Sequence, residues 1–195
     1  MLAAPLAAAP ISVRVTDSAG HPVRDAVVTL APVGAVARAV RGGGHFVISQ
    51  KNLQFSPFLT IVPVGADVSF PNLDPTKHHV YSFSAAKRFE LKLFAKDQSR
   101  TVHFDKPGVV ALGCNIHDKM SAFIVVTESA WTARTNAQGV VTFADAPSVP
   151  ARLTVWHPYL RAPGSQIDQS IAAGQRNAAF QVRLRPPPAM AMADY

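Results

Sequence analysis

A single cysteine, Cys114, stands in 195 residues, so no disulfide can form within the chain and cysteine usage does not report a compartment. No apolar run reaches the roughly 18 residues that a membrane-spanning helix needs. Charged residues are scarce at 16%, with only 12 acidic among them, and aromatics make up 8%. The net charge of +7 is spread out, with no block of more than two consecutive Lys or Arg. Nucleic-acid binding wants a clustered basic stripe, which is missing; the excess suits solubility or attraction to an acidic protein. There is no Gly-x-Ser-x-Gly, no phosphate-binding loop and no convincing carboxylate pair for hydrolysis. These absences leave enzyme readings without support, and the expectation is a protein that is not an enzyme.

The chain does have proline (16), glycine (11) and a hydrophobic fraction of 48%, a globular composition. Short runs rich in Val, Ile, Thr and Phe predict an all-β protein. The candidate strands are Ile11–Thr16, Ala26–Leu30, Ala66–Phe70, His78–Phe83, Val109–Leu112, Phe123–Thr127, Val140–Phe143, Arg152–Trp156 and Ala178–Leu184. The best helical stretches, Ser84–Arg88 and Asp168–Ala173, amount to single turns. Met1 to Pro10 is small and apolar and reads as the stub of an export signal whose basic region is missing. The expectation is a protein in the periplasm or otherwise exported. From Pro186 the proline-rich tail reads as an extended stub without a core, although Met190 and Met192 are donors that soft Cu(I) would accept.

Two separated segments share a style. Val13 to Leu30 holds a strand, an acidic turn ending in Gly20, Pro22 and a second strand ending in Val28-Thr29-Leu30. Thr135 to Phe143 and Leu153 to Trp156 read as its continuation. Together they resemble a carboxypeptidase-regulatory-like sandwich. The resemblance implies a discontinuous sandwich, residues 11–40 plus 129–185, with a second β domain, 45–128, inserted between.

The inserted segment carries the chemistry. Cys114-Asn115-Ile116-His117-Asp118-Lys119-Met120 gives Cys-x-x-His-x-x-Met between two strands, and His78-His79 opens another strand after Asn72. Fast single-electron transfer at copper needs ligands that suit both Cu(II) and Cu(I). Two imidazoles, a thiolate and a weak thioether meet that need. The tight loop sets Cys114, His117 and Met120 on one side of the ion, and a histidine from another strand closes the other. Methionine is a poor zinc ligand, so Met120 argues for copper. His-x-His pairs, which a trinuclear oxidase cluster requires, are absent.

These residues resemble a cupredoxin. The short loop has amicyanin spacing, and Asn72, His78 and Val80 match the Asn-x5-His-x-Val strand of plastocyanin and amicyanin. Phe70-Pro71-Asn72, His78 to Ser84 and Gly113 to Asp118 are similar to exported cupredoxin-like proteins often labelled methylamine-utilisation or plastocyanin-like. The resemblance implies a Greek-key cupredoxin sandwich with one copper held by His78, Cys114, His117 and Met120. His79 stands where those relatives have Asn. Adjacent strand residues face opposite ways, so one of the pair faces the ion, and alignment on Asn72 selects His78. His79 and Asn72 then become supporting residues around the ligands. The implied function is a one-electron carrier serving a redox partner, acidic if the charge is used for steering. Copper delivery to an exported enzyme is the alternative, and a binding module with a vestigial copper loop is the third reading.

Overall fold

The computed structural model describes residues 8–34 and 42–186. The first seven residues of the stretch Met1 to Pro10 expected to be an export stub, and the tail beyond Pro186 with Met190 and Met192, lie outside them. The chain is all-β. It divides into two compact units, one from residues up to 38 together with those from 131 onward, the other from residues 39–130.

The discontinuous unit begins with β1 (Ala8–Asp17) and β2 (Val27–Pro32). The inserted unit then runs β3 (His45–Val47), β4 (Ser49–Lys51), β5 (Gln54–Ser56), β6 (Leu59–Pro63), β7 (Ala66–Pro71) and β8 (His78–Ser84). It continues through β9 (Lys87–Phe94), β10 (Ser99–Phe104), β11 (Gly108–Cys114) and β12 (Ser121–Thr127). The chain returns to the first unit with β13 (Thr132–Arg134), β14 (Val140–Pro147), β15 (Ala151–Trp156), β16 (Gln166–Ile171) and β17 (Asn177–Val182).

In the discontinuous unit a three-stranded sheet, β14-β1-β17, and a four-stranded sheet, β13-β2-β15-β16, share one core. Val13 and Val15 of β1, Leu30 of β2 and Leu153 and Val155 of β15 are all but inaccessible to solvent. Burying each such side chain contributes about 1.5–3 kcal/mol. The helical turn expected at Asp168–Ala173 is instead mostly β16, which pairs along its whole length with β15 from Trp156↔Gln166 to Ala151↔Ile171. Tertiary pairing overrides local preference there. The Ser84–Arg88 turn likewise resolves into the end of β8, a tight Ala85-Ala86 turn and the start of β9. Among the described residues the helical geometry is confined to a single 3₁₀ turn, Pro163–Ser165.

In the inserted unit a five-stranded sheet, β6-β12-β11-β8-β9, and a three-stranded sheet, β10-β7-β3, close on a second core, with the β4-β5 hairpin alongside. Alternation sets the faces. Val110, Leu112 and Cys114 of β11 point inward, as do Ala122, Ile124 and Val126 of β12, antiparallel to it. β9 alternates charged and apolar residues from Arg88 to Leu93, and a bulge against β8 between His78 and Val80 turns Phe94 into the core.

His157, at the end of β15, is buried with its Nδ1 accepting the Tyr159 N–H at 3.3 Å, and burial pushes its pKa down to about 4. In the unfolded chain the ring titrates near 6.5, so unfolding takes up a proton between the two values. The stability held by the neutral ring is complete above about pH 6.5 and is lost progressively as pH falls to about 4, to a total of about 3 kcal/mol. Both tryptophans, Trp131 and Trp156, lie in this unit. Urea unfolding followed by tryptophan fluorescence should show that loss in the wild type and a flatter profile in His157→Asn. Identical pH slopes for the two proteins would reject the assignment.

Candidate metal centre

Cys114 ends β11, and its backbone neighbour across the sheet is Val80 of β8. Residues opposite one another in antiparallel strands share a face, and so do residues two apart in one strand. His78 and Cys114 therefore both face the core, with His78 fully buried and Cys114 nearly so. The His78 Nδ1 lies 3.8 Å from the Cys114 Sγ. After Cys114 the chain turns out through Asn115 and Ile116, and half-buried His117 folds back so that its Nδ1 stands 3.7 Å from the same sulfur. The two imidazole rings are 5.0 Å apart between centroids. A hydrogen bond from the Met120 N–H to the His117 carbonyl, 3.0 Å, closes the loop. Met120 is buried in the same apolar cluster as Cys114.

One donor atom from each of His78, Cys114 and His117 lies within 4.8 Å of the others. Three donors spread at 120° around one first-row ion, at bond lengths of about 2.0–2.3 Å, stand roughly 3.7 Å apart. The observed sulfur–nitrogen separations match that spacing, so the donor set fits a single ion.

His79 points to the other face of β8. Its Nε2 is 3.1 Å from Glu90 Oε1 on β9, at ion-pair distance but without hydrogen-bonding geometry, and its ring meets Tyr81 edge-on. It is thus placed beside Glu90 and Tyr81, on the face of β8 opposite His78. Asn72 is fully buried: its Nδ2 donates to the carbonyls of Thr76 (2.8 Å) and Phe94 (3.1 Å), and its Oδ1 accepts the Asp74 N–H at 2.9 Å.

Asp74 does not stand out in the sequence as a functional residue. This buried carboxylate has its Oδ2 2.8 Å from His78 Nε2. It also accepts the backbone N–H groups of Asn52 at 2.6 Å and Leu53 at 3.0 Å. Burial raises its pKa, but the Leu53 N–H, His78 and the Asn52 N–H together outweigh that and hold it below the usual carboxylate value. The usable signal was an Asp four residues before a candidate ligand histidine.

Neither a protein-family model nor a curated protein matches the chain. Among solved structures, it is similar to a Cu-containing nitrite reductase from Thermus scotoductus SA-01, with 24% identity over 50% of this chain and a TM-score of 0.42. That match spans 25% of the reductase, so half of this chain corresponds to a quarter of it. A purple cupredoxin from Nitrosopumilus maritimus is 21% identical over 43% of this chain and 99% of its own, TM-score 0.38. The reduced Cu(I) form of an amicyanin mutant is 21% identical over 51% of this chain and 98% of its own, TM-score 0.40.

Removing the Asn72 side chain leaves the Asp74 N–H and the Thr76 and Phe94 carbonyls without their partner. Asn72→Ala should destabilise the inserted unit by about 2–4 kcal/mol. Amide exchange in β11 and β12 of the metal-free protein reads this directly, and unchanged protection would show that the turn stands without Asn72.

Proposed function

We propose that the inserted unit is a cupredoxin that holds one copper ion between His78, Cys114 and His117, with Met120 as a weak axial donor, and that the protein carries single electrons. The observation that supports this reading is the convergence of one thiol and two imidazole nitrogens at metal-sized spacing inside an apolar core. Bound copper would supply a one-electron Cu(II)/Cu(I) couple. The chain supplies everything else.

His78 and Cys114 are locked between paired strands, so the donors have little freedom to rearrange when charge changes. Met120 favours copper over zinc, because a thioether suits Cu(I) and zinc accepts it poorly. His117 is only half-buried and sits next to Ile116, which is 46% exposed, so its ring edge is the natural exit for an electron. Ile116, with exposed Leu73 and Pro75 in the loop before β8, offers apolar surface for the small, transient contact that redox encounters use. The net charge of +7 favours an acidic partner. The reading places the protein outside the cytoplasm and gives it no substrate chemistry of its own. The discontinuous unit is read as a carboxypeptidase-regulatory-like sandwich that carries the copper unit as an insertion.

One equivalent of Cu(II) added to the purified protein should give an intense thiolate-to-copper absorption band. The band should vanish in Cys114→Ala and His78→Ala and persist in His79→Ala. A pale spectrum of nitrogen and oxygen ligation in the wild type would overturn the proposal, and loss of the band in His79→Ala with retention in His78→Ala would exchange the two histidines.

A further inference from the structure

His78 is the best-held side chain of the centre, and the reason lies outside the ligand loop. Asp74 approaches from the side of the ring opposite Cys114, with its Oδ2 on Nε2 while Nδ1 faces the sulfur. The carboxylate is itself clamped. The tight turn between β4 and β5 places two successive residues, Asn52 and Leu53, at φ of 56° and 59°. That mirror-image turn geometry aims both backbone N–H groups at Asp74. Neither residue is glycine, so the left-handed backbone carries some cost, which the two hydrogen bonds to the carboxylate offset. On its own strand side, Asp74 is fixed through its N–H by Asn72.

A carboxylate that already receives two N–H groups offers His78 only acceptor oxygen. The hydrogen-bond network therefore assigns the imidazole proton to Nε2 and leaves the Nδ1 lone pair turned toward Cys114. The other imidazole differs. Among the described residues no protein group hydrogen-bonds His117 Nε2, and that ring is half-buried where His78 is fully buried. The centre is thus asymmetric, with one imidazole backed by a buried negative charge and one open toward solvent.

We infer that Asp74 is a positioning residue that fixes His78 with Nδ1 free for the metal and lowers the reduction potential of the centre through its charge. This rests on the copper reading above. A carboxylate behind a ligand histidine makes the imidazole a stronger donor, and a buried negative charge nearby favours the more positive state of the ion. Partners of this kind change metal affinity by about 10- to 100-fold when removed.

The test has two independent readouts. In the metal-free wild type, imidazole ¹⁵N shifts should show His78 as the Nε2–H tautomer, and an Nδ1–H tautomer would overturn the positioning role without any variant or metal. In copper-loaded protein, Asp74→Asn keeps the side-chain size and removes the charge, together with one of the two acceptor oxygens. It should weaken Cu(II) binding relative to Cu(I) by 10- to 100-fold, which raises the potential by about 59 mV for each tenfold. A wild type and Asp74→Asn that both show the thiolate band but share one potential would overturn the tuning role. Absence of the band from the wild type would instead overturn the copper reading beneath it, while the tautomer result would still stand or fall on its own.

Discussion

The pairing of Cys114 with Val80 is the constraint on which the candidate centre depends. It fixes which way every residue of β8 faces relative to the thiol. With that register, His78 joins the sulfur inside the core and His79 is turned toward Glu90. A slip by one residue would exchange the two histidines and push Val80 out of the apolar cluster that now buries it completely. The hydrophobic cost of that exchange is what specifies the register. The donor geometry is thus set by the packing of Val110, Leu112 and Ile124, residues with no metal chemistry of their own.

Around this frame the polar groups form a chain of support. Asn72 ties the end of β7 to Phe94 at the bulge of β9 and holds the backbone of Asp74. Asp74 in turn joins the β4-β5 turn to the His78 ring. Each link is a hydrogen bond to a buried or partly buried group, where a missing partner costs more than a present one gains. Three separate stretches of the inserted unit therefore converge on one imidazole before any ion arrives. Preorganisation of that kind leaves the His78 ring little freedom to move.

Much of the architecture was legible in the residues. The Val-, Ile- and Phe-rich runs coincide with β1, β2, β7, β8, β11, β12, β14, β15 and β17, because apolar alternation is a local property. β9 is not among the expected strands although Arg88 to Leu93 alternates plainly; the helical turn expected at Ser84–Arg88 overlaps its first two residues. β16 has little apolar pattern, and its strand identity comes from β15 beside it. In the candidate centre, the Cys-x-x-His spacing and the histidine pair were visible as a motif. Asp74 was not, because its role depends on backbone donors from Asn52 and Leu53, more than twenty positions away. No side-chain motif records where a backbone N–H points.

The discontinuity of the outer unit has a kinetic consequence. Thr29 on β2 and Thr132 on β13 meet across the sheet, 103 positions apart in the chain. While the intervening segment is an open coil, bringing those strands together carries the loop-closure entropy of a long tether. Once residues 39–130 have collapsed into their own unit, the tether is far shorter in effect, and the pairing becomes closer to a local event. Loop-closure entropy thus favours assembly from the inside outward. A lesion confined to the inserted unit would delay closure of a sheet whose every contact is intact, lengthening the time that β2 and β13 spend as unpaired edges.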